Sequence, residues 1–447
     1  MNSTRRDFLK RAGTGIALSL GGVLPGFSAA GYNRIIGANE RINVSIVGVN
    51  SRGDALAHNF ARQEICNVAY LCDVDSRAID KCMKTVQPVQ NNPPKREKDF
   101  RNSLDSKDVD AIVIAMPDHW HTPAALLAMQ AGKHVYLEKP VSHNPREGEM
   151  LVEATAKYGK VVQIGTQRRS WPKVMEAIRY VQDGGIGNVH FGKGWYANNR
   201  PSIGTGKVTA VPDWLDWDLW QGPAPRLDYK DNIVHYNWHW LWHWGTAETL
   251  NNGTHMVDLL LWGMNLKYPT KVSSIGGRYY HEDDWETPDT QMVTLEFGDK
   301  CSILWEGQSC NAKQTENSSV GVIFYGDKGS VYISAGDSYT VFDKQNKVLK
   351  EVKSEITVNP LDRVNPAEQL DAIHILNFFD AITKGTPLYM TAENGHRCTL
   401  LMQLANISQR TGRMLRTNPQ NGHIIGDNEA QQLWSRNYQP GWEPKVS

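Results

Sequence analysis

The chain has 447 residues with 48 basic and 48 acidic side chains, so its formal net charge is zero. It therefore lacks the basic field of nucleic-acid-binding proteins, while its length is sufficient for two or three domains. The six cysteines form no CxxC pair, so a thiolate zinc site is not expected. A disulfide between Cys301 and Cys310 is possible in an oxidising compartment, although spacing alone does not establish it.

Residues 1–30 have the pattern of a signal peptide. The paired arginines Arg5 and Arg6 precede an uncharged, mostly apolar run (Ala12–Leu24), and Ser28-Ala29-Ala30 offers a cleavage site. The run is shorter than the ~20 residues of a membrane-spanning helix, and we expect no membrane span after its removal. The arginine pair predicts export by the twin-arginine route to the periplasm, with a basic amphipathic tail as the alternative.

Residues 41–165 are predicted to form a parallel α/β domain. Short apolar, β-branched segments alternate with amphipathic helical stretches, which is typical of a parallel sheet covered on both faces. The predicted strands are Ile42–Val49, Val68–Cys72, Ala111–Ala115, His134–Leu137 and Val161–Ile164, with helices at Pro123–Ala131 and Arg146–Tyr158.

Residues 166–415 are predicted to form a second, α+β domain with a large, mostly antiparallel sheet flanked by helices. Strand-like segments follow one another and are joined by turn signals such as Gly298-Asp299, which favours hairpins. The predicted strands are Val189–Tyr196, Lys271–Tyr280, Gln291–Phe297, Lys300–Gln308, Ser319–Tyr325 and Ser330–Ile333. The predicted helices are Lys173–Gln182, Pro366–Lys384 and Glu393–Leu415. Residues 416–447 are predicted to be an irregular tail.

A glycine-rich loop follows the first predicted strand. Gly48-Val49-Asn50-Ser51-Arg52-Gly53 matches the dinucleotide-binding pattern GxGxxG, with Asn50 in place of the second glycine. Gly48 would make the tight turn and Gly53 would allow close packing of strand and helix. The helix N-terminus would then face a pyrophosphate, which predicts a Rossmann fold. An ordinary strand-to-helix turn is the alternative.

Asp73 ends the second predicted strand, where an acidic side chain can bind both hydroxyls of the adenosine ribose. The same carboxylate would repel the 2′-phosphate of NADP. The predicted cofactor is therefore NAD.

Two further motifs lie directly after parallel strands. Ala115-Met116-Pro117-Asp118-His119-Trp120-His121 follows the strand at 111–115, and Glu138-Lys139-Pro140 follows the strand at 134–137. Open α/β sheets bind ligands at the carboxyl ends of their strands, so both motifs are expected at the cofactor site.

Together these motifs resemble the Gfo/Idh/MocA oxidoreductases, such as glucose–fructose oxidoreductase and inositol dehydrogenase. The glycine loop, Pro117–His121, Glu138-Lys139-Pro140 and Gly165-Thr166-Gln167-Arg168 match the family in order. The segment 216–223 (DWDLWQGP) is similar to a branch whose members carry twin-arginine signals. The resemblance implies that Pro117, Asp118, His121, Glu138, Lys139 and Gln167 bind the cofactor together with Gly48, Asn50, Ser51, Arg52, Gly53 and Asp73.

The resemblance also assigns catalytic roles. The family lysine corresponds to Lys139, which would donate to the substrate oxygen and stabilise charge developing there. The family histidine, in an Asp-x-x-x-His motif, corresponds to His255, the expected general base for a sugar hydroxyl. Asn251 stands where the family has the acid. It is expected to bind a hydroxyl or position His255, and its lack of charge puts a simple proton relay in doubt.

Other side chains have more than one interpretation. Asp258 would either orient His255 or cap or pack its own helix. His235, His239 and His243, spaced by four, could ligate a metal on a helix, but the interleaved tryptophans favour an aromatic wall, and no metal is predicted. Trp171 and His243 are predicted to contact the substrate. The 15 tryptophans fit either ordinary packing or stacking on sugar rings.

The resemblance therefore predicts hydride transfer between a tightly held NAD(H) and a ring hydroxyl of a sugar, glycoside or cyclitol. It leaves two alternatives. One is a redox-neutral glycosidase like glycoside hydrolase family 109, which oxidises a ring carbon transiently, eliminates the aglycone, adds water and reduces back. The other is a non-catalytic, sugar-binding Rossmann protein. By analogy with the family, we also expect a homo-oligomer.

Overall fold

A computed structural model of the protein describes residues 41–356 and 367–447. The first domain contains a six-stranded sheet in the order β3-β2-β1-β4-β5-β6, with parallel neighbours throughout. The strands are β1 (Ile42–Val47), β2 (Cys66–Cys72), β3 (Lys95–Glu97), β4 (Ala111–Ile114), β5 (His134–Leu137) and β6 (Val162–Ile164). This order is that of a Rossmann fold, so the predicted fold of the first domain is confirmed.

Helices connect these strands. They are α1 (Arg52–Ala61), α2 (Ser76–Val86), α3 (Phe100–Leu104), α4 (His121–Gln130) and α5 (Pro145–Tyr158). Local sequence explains their ends: before α5, the Asn144 side chain accepts the Glu147 N–H at 3.1 Å, and Gly159 ends the helix with φ of 59°.

The second domain is built on an eleven-stranded sheet in the order β15-β14-β13-β12-β7-β10-β9-β8-β16-β17, with β11 paired to β7. Its strands are β7 (Val189–Asn199), β8 (Lys271–Gly277), β9 (Thr290–Phe297), β10 (Cys301–Gln308), β11 (Cys310–Asn311), β12 (Val320–Gly326), β13 (Gly329–Ile333), β14 (Tyr339–Asp343), β15 (Val348–Val352), β16 (Leu415–Thr417) and β17 (Ile424–Ile425). β7 and β10 are parallel, and the other pairs that the structure describes in this sheet are antiparallel. The predicted mostly antiparallel sheet is confirmed.

Helices cover one face of this sheet. The helices of the second half are α6 (Pro172–Gln182), α7 (Trp217–Gln221), α8 (Thr254–Gly263), α9 (Glu368–Lys384), α10 (Ala392–Thr411) and α11 (Asn428–Gln432). Leu260 on α8 and Leu401 on α10 are fully buried in one apolar cluster with Val293 and Val322 of the sheet. Ile275 and Met292 are exposed.

Helix α9 returns to the first domain. Its Phe378 and Phe379 are buried in the same apolar cluster as Phe60 on α1 and Tyr136 on β5. The rings of Phe60 and Tyr136 meet edge to face, with centroids 5.4 Å apart. The two domains are therefore held together by a shared core, which fixes the position of the site between them.

The largest difference from the sequence-based elements lies near the C-terminus. The helix expected over Glu393–Leu415 ends at Thr411, because Gly412 adopts a left-handed φ of 64°. Leu415 begins β16, which pairs with β8. β14 and β15 were not predicted, and exposed side chains in β15 obscure its alternation.

Residues 416–447 are not wholly irregular, in contrast to our prediction. They contain β17 and α11, and the chain then packs against the Rossmann domain. Arg436 Nε donates to Glu147 at 2.8 Å, Tyr438 donates to the same buried carboxylate at 2.9 Å, and Trp442 meets Trp120 edge to face. The tail therefore supports the 118–120 turn, which lines the site described below.

Three expectations concern the ends and the cysteines. The predicted signal segment, residues 1–30, lies outside the described residues. Within residues 41–356 and 367–447, no helix is long and apolar enough to cross a membrane.

Cys301 and Cys310 are both free, because Cys301 begins β10 and Cys310 follows its end. An extended strand of eight residues spans roughly 26 Å, far beyond the reach of a disulfide.

Candidate cofactor and catalytic site

The loop after β1 has the shape of a dinucleotide cradle. Gly48 has φ of +82°, and a Cβ there would lie 2.7 Å from the Ala115 carbonyl oxygen. A Cβ on Gly53 would lie 1.9 Å from the Gly48 carbonyl oxygen. At both positions a side chain would collide with a backbone oxygen, so only glycine fits. Asn50 is not among the residues with positive φ, so its replacement of a glycine leaves the turn unstrained.

Helix α1 presents its N-terminus to the cavity. Ser51 occupies the N-cap position but its side chain accepts no capping hydrogen bond, so the first turn is open to an anion. Arg52 is held by ion pairs with Glu138 at 2.9 Å and Asp371 at 2.8 Å. Its Nη2 is buried without a hydrogen-bond partner among the described residues. The cradle and this unpaired donor fit a pyrophosphate.

Asp73 lies at the end of β2 and lines the same cavity. Its Oδ2 accepts the Val49 N–H at 2.7 Å and its Oδ1 accepts the Asp75 N–H at 2.9 Å. Burial raises the pKa of Asp73, and these N–H groups oppose that rise. The carboxylate is thus fixed beside the glycine loop, in the position from which Rossmann domains bind ribose hydroxyls.

A segment of the second domain, residues 211–244, covers this end of the site. We call it the covering segment. Its Trp214 carbonyl accepts the Ser76 N–H at 3.1 Å, and its His235 Nε2 lies 2.8 Å from Asp75 Oδ2. At its other end, the Trp220 carbonyl accepts the Trp120 indole N–H at 3.0 Å. The covering segment is therefore attached to the Rossmann domain on both sides of the site.

One cavity of about 630 Å³ joins the two domains. Most of the side chains that the sequence analysis selected line it: Gly48, Asn50, Ser51, Arg52, Asp73, Pro117, Asp118, His121, Glu138, Lys139, Gln167, Trp171, Asn251 and His255. Gly53 lies behind the wall and acts through packing. The size suits a dinucleotide end together with a small substrate.

The Pro117–His121 segment forms a turn whose polar groups are bound inside the protein. The His121 ring nitrogens lie 2.5 Å from the Pro140 carbonyl oxygen and 2.7 Å from that of Met116. Asp118 accepts a hydrogen bond from the Thr246 hydroxyl, and burial raises the pKa of its carboxyl. The segment therefore shapes the cavity wall, and the two motifs after β4 and β5 are tied to each other.

Glu138 has a supporting position. Its Oε1 accepts from Arg52 Nε at 2.9 Å and from Gln167 Nε2 at 3.1 Å. A Cβ on Gly165 would lie 2.7 Å from the Glu138 carboxyl carbon, so the glycine leaves room for this carboxylate. Glu138 thus orients two side chains of the cofactor site.

Lys139 crosses to the second domain. Its Nζ donates to the Asn251 carbonyl at 2.6 Å and to the Asn251 Oδ1 at 3.1 Å. An ammonium has three donors, so these bonds leave one for a ligand. Burial lowers the pKa of Lys139, partly offset by the charges of Glu138, Asp118 and Glu248. Asn251 therefore positions Lys139, whereas the sequence predicted that it binds a hydroxyl or positions His255.

A carboxylate missed by the sequence analysis lies behind Asn251. Glu248 is 2% exposed and makes a two-point ion pair with Arg200, with N–O distances of 2.6 and 3.2 Å. Asn251 Nδ2 lies 3.4 Å from Glu248 Oε1, and Asn252 Nδ2 donates to the same oxygen. Ala247, directly before it, has a left-handed φ of 70°. Glu248 was missed because its partner is distant in sequence and no motif marks either residue.

His255 faces the cavity from the first turn of α8. Burial lowers its pKa well below the ordinary value, and the positive charges of Lys139, Arg168 and Arg52 lower it further. The imidazole is therefore neutral at working pH and can accept a proton. Its Nδ1 is buried without a partner among the described residues. Asp258 does not orient it, because both of its oxygens bind Arg169 at 2.8 Å.

The three spaced histidines do not converge. His243 is absent from the cavity wall, since its Nε2 lies 2.8 Å from the Pro225 carbonyl oxygen. His239, which lines the cavity, replaces it as a wall residue. His235 pairs with Asp75 as described above. The helix that would align the three is missing, and Asn237–Trp240 form a short 3-10 turn instead.

Most tryptophans in this region pack against each other. Trp217, Trp220, Trp238 and Trp244 share a separate buried cluster, in which the Trp217 and Trp220 rings stack with centroids 4.8 Å apart. Trp171, Trp220 and Trp238 also line the cavity. The tryptophan density is thus mainly a second small core inside the covering segment.

A Rossmann domain whose glycine loop shares a cavity with a second domain is the arrangement of a protein that binds a dinucleotide beside a second ligand. Residues 42–166 match the family model for "Oxidoreductase family, NAD-binding Rossmann fold", and residues 195–444 match that for "Oxidoreductase family, C-terminal alpha/beta domain". The chain belongs to the Gfo/Idh/MocA oxidoreductase family, and its cofactor is NAD.

Curated relatives include proteins described as "Glycosyl hydrolase family 109 protein". One from Saccharopolyspora erythraea is 31% identical over 253 residues, which is 51% of this chain and 55% of the relative. Another from Shewanella sp. (strain ANA-3) is 27% identical over 258 residues, 53% of this chain and 51% of the relative. The chain thus matches about half the length of these relatives.

Solved structures share the fold. An oxidoreductase domain protein from Kribbella flavida has a TM-score of 0.65 and 18% identity, covering 87% of this chain and 100% of that one. Levoglucosan dehydrogenase in complex with NADH and L-sorbose has a TM-score of 0.65 and 16% identity, covering 84% and 99%. A scyllo-inositol dehydrogenase from Lactobacillus casei has a TM-score of 0.61 and 18% identity, covering 84% and 98%.

Proposed function

We propose that the protein transfers hydride between a tightly held NAD(H) and a ring hydroxyl of a sugar, glycoside or cyclitol. The observation that carries the proposal is the convergence of Lys139, Asn251 and His255 on the cavity that also holds the glycine loop and Asp73. A neutral base and a lysine on the cavity that also contains the glycine loop are the two groups that oxidation of an alcohol needs.

The roles follow from the contacts. His255 takes the hydroxyl proton as the carbon loses hydride, and its low pKa keeps it neutral beforehand. Lys139 donates its remaining N–H to the substrate oxygen, and the Asn251 oxygens hold the ammonium in place. The lowered pKa of Lys139 makes it a stronger hydrogen-bond donor to that oxygen. When bound, NAD⁺ supplies the hydride acceptor, held by the Gly48–Gly53 loop and Asp73.

A second candidate is a redox-neutral, NAD-dependent glycosidase. The 31% identity to a family 109 glycosyl hydrolase from Saccharopolyspora erythraea supports it. The first step, removal of a ring hydroxyl proton by His255 with loss of hydride, is common to both candidates. They differ in whether an aglycone leaves and whether NADH accumulates.

One experiment separates the candidates. Purified protein is incubated with matched free sugars, cyclitols and aryl glycosides, and absorbance at 340 nm is followed together with the products. Formation of NADH with an oxidised sugar supports a dehydrogenase, whereas aglycone release without net NADH supports the glycosidase. Sugar binding without either reaction would reject both and leave a binding protein.

We also propose that the protein is exported by the twin-arginine route to the periplasm and assembles as a homo-oligomer. Export is supported by Arg5-Arg6, the apolar run and the small residues at 28–30. Replacing both arginines by lysine should retain the protein in the cytoplasm in a fractionation experiment.

The proposed homo-oligomer is supported by exposed apolar side chains such as Ile275 and Met292, and light scattering tests it.

A further inference from the structure

Arg168 is a buried cation that lines the cavity. It follows β6 in the short turn Gln167–Ser170, and only 5% of its surface is exposed. Its hydrogen bonds run from Nη2 to the carbonyl oxygens of Ser334 and Gly336. Within residues 41–356 and 367–447, its Nε has no acceptor and no carboxylate forms an ion pair with its guanidinium.

The next residue, Arg169, differs from Arg168 because it has a carboxylate partner. Arg169 makes a two-point ion pair with Asp258, with both N–O distances at 2.8 Å. The acid whose field reaches Arg168 is Asp337, but its Oδ1 accepts the N–H groups of Lys173 and Val174 at 2.8 and 2.9 Å. Arg168 therefore keeps a charge that Asp337 offsets only in part and that no ion pair among the described residues completes.

Two neighbouring side chains, Trp171 and Lys139, also have donors that no carboxylate in the described part of the chain binds. Trp171, 7% exposed, also lines the cavity, and its indole Nε1 is buried without an acceptor among the described residues. The Arg168 guanidinium carbon lies 5.1 Å from the centre of the Trp171 ring. Lys139, on the same cavity, bonds only neutral oxygens of Asn251 at its Nζ. Arg168 and Trp171 thus place buried donors without acceptors among the described residues on the wall where the substrate is expected.

Burial without a partner is costly for a guanidinium. It lowers the pKa of Arg168 to about 10, with Asp337 offsetting part of the effect. Leaving a buried charge without a full ionic partner is costly, so we expect a ligand to supply one, and a guanidinium forms strong, charge-assisted hydrogen bonds with a carboxylate. Both Arg168 and Lys139 lower the pKa of His255, which puts this positive charge near the catalytic base.

We propose that Arg168 binds a negatively charged, oxygen-rich substituent of the substrate, in the first instance the carboxylate of a sugar acid. The proposal rests on the function proposed above and narrows its substrate class to anionic sugars. Nη1 supplies the donors to this group, Trp171 lies against the sugar beside it, and Lys139 and His255 act on a hydroxyl of the same molecule.

The test is direct binding, which needs no turnover. Isothermal titration of the NAD-loaded protein compares methyl glycosides of glucuronate, galacturonate and mannuronate with those of glucose, galactose and mannose. Methyl esters of the acids serve as uncharged analogues of similar size, and 6-sulfated sugars distinguish carboxylate from sulfate recognition. We expect at least one acid to bind about tenfold or more tightly than its neutral partner and its ester.

Variants at position 168 test whether Arg168 is responsible for the preference for the acid. Arg168→Gln should reduce the preference for the acid to within about threefold, and Arg168→Lys should keep part of it, since lysine retains the charge but not the planar guanidinium donors. Arg416→Gln removes the same charge from an exposed position and should leave the preference unchanged. If Arg168→Gln does not fold, the salt dependence of binding by the native protein and Arg168→Lys still decide the question.

Other results would overturn the proposal. Equal binding of acids, esters and neutral sugars, or binding of none, would reject it. Loss of NAD from Arg168→Gln with an unchanged preference for the acid would place Arg168 at the cofactor. Selective acid binding without any redox or glycosidase reaction would leave the anion site standing and reject the proposed function. Oxidation of neutral sugars alone would support the proposed function and reject the anion site.

Discussion

The Nζ atom of Lys139 lies 2.6 Å from the carbonyl oxygen of Asn251, on the opposite side of the domain boundary. This bond attaches the end of a Rossmann strand to the turn before α8, which carries His255. The amide of Asn251 in turn lies 3.4 Å from the buried carboxylate of Glu248. The amide at 251 fits this position, because its oxygen accepts from Lys139 and its nitrogen faces Glu248, and a carboxylate has no donor for the second contact.

Asn251→Asp is expected to destabilise the protein rather than restore a proton relay. Two carboxylates would then stand within hydrogen-bond distance, and like charges at such a distance raise the pKa of one and cost about 1–2 kcal/mol. The loss in thermal stability should be larger at pH 8 than at pH 5, because protonation relieves the repulsion. Scanning calorimetry at both pH values measures it.

The control for Asn251→Asp is Asn251→Ala, which removes the amide without adding charge. The double variant Glu248→Gln/Asn251→Asp should be more stable than the sum of the single changes, by at least about 0.5 kcal/mol. Strict additivity would show that residues 248 and 251 do not interact.

Lys139→Ala and His255→Ala should each reduce turnover by about a hundredfold or more, the range for positioned acid–base groups. The contacts of the glycine loop and Asp73 remain in both variants, so NAD binding should be largely retained. Steady-state kinetics on the best substrate and NAD titration measure the two effects. His243→Ala is the matched control, because His243 does not line the cavity. Near-normal turnover in the lysine or histidine variant would remove that residue from the mechanism.

Asp73→Ser should weaken the preference for NAD over NADP. The Asp73 carboxylate, fixed by the N–H groups of Val49 and Asp75, repels a 2′-phosphate, and serine does not. We expect the affinity for NADP to rise by about tenfold, measured by fluorescence titration after removal of bound nucleotide. Asp80→Ser removes the same charge from an exposed site of this domain and should change neither affinity. Equal affinity of the native protein for both cofactors would contradict the prediction.

Stability should fall as the pH decreases from about 6.5 toward 4. His374 is fully buried, donates from Nε2 to the Ile164 carbonyl at 2.9 Å, and lies 2.6 Å from Ser170 Oγ through Nδ1. Burial lowers its pKa to about 4. The unfolded chain, with a histidine pKa near 6.5, therefore binds a proton in this window that the native state does not.

The matched variant is His374→Gln, whose amide can donate to Ile164 and accept from Ser170 without titrating. Between pH 6.5 and pH 5 it should lose about 2 kcal/mol less of its free energy of unfolding than the native protein. Denaturant unfolding at several pH values provides the comparison. Parallel curves for the two proteins would show that His374 does not contribute to acid lability.

Local rules account for the parts of the site that were predictable. The Gly48–Gly53 loop, Asp73 and Lys139 all follow parallel strands, and the carboxyl ends of such strands meet at one edge. The antiparallel sheet was recognisable from alternating segments joined by turn signals. These features depend on short stretches of chain, so the sequence alone carries them.

The site residues and the strand that the sequence did not predict depend on contacts between distant parts of the chain. Glu248 and Arg200 are 48 residues apart and neither belongs to a motif. His243 was predicted to contact the substrate, but its ring binds the Pro225 carbonyl oxygen and does not line the cavity. The strand beginning at Leu415 was hidden because its sequence continues the apolar pattern of α10, and only the left-handed Gly412 ends that helix. Tertiary contacts decide each of these cases.

The covering segment predicts that NAD(H) is retained through purification and many turnovers. Residues 211–244 close the Asp73 end of the cavity through the bonds of Trp214 to Ser76 and of His235 to Asp75, and the Arg77 guanidinium carbon lies 3.3 Å from the centre of the Trp214 ring. A nucleotide under this segment leaves only after these contacts break. Retention fits the proposed export, because the twin-arginine route carries folded proteins and free NAD is scarce outside the cytoplasm.

Protein purified without added nucleotide should therefore release close to one equivalent of NAD(H) on denaturation, measured by chromatography. Loss of the His235–Asp75 contact in His235→Ala should increase the dissociation rate by about tenfold, as expected for a buried hydrogen bond to a charged group. His190→Ala, at an exposed position on β7, is the control and should retain the nucleotide like the native protein. A native protein that is isolated empty, needs added NAD and loses it on dilution would contradict this prediction. It would also favour a dehydrogenase with freely exchanging cofactor over one that re-oxidises NADH in place.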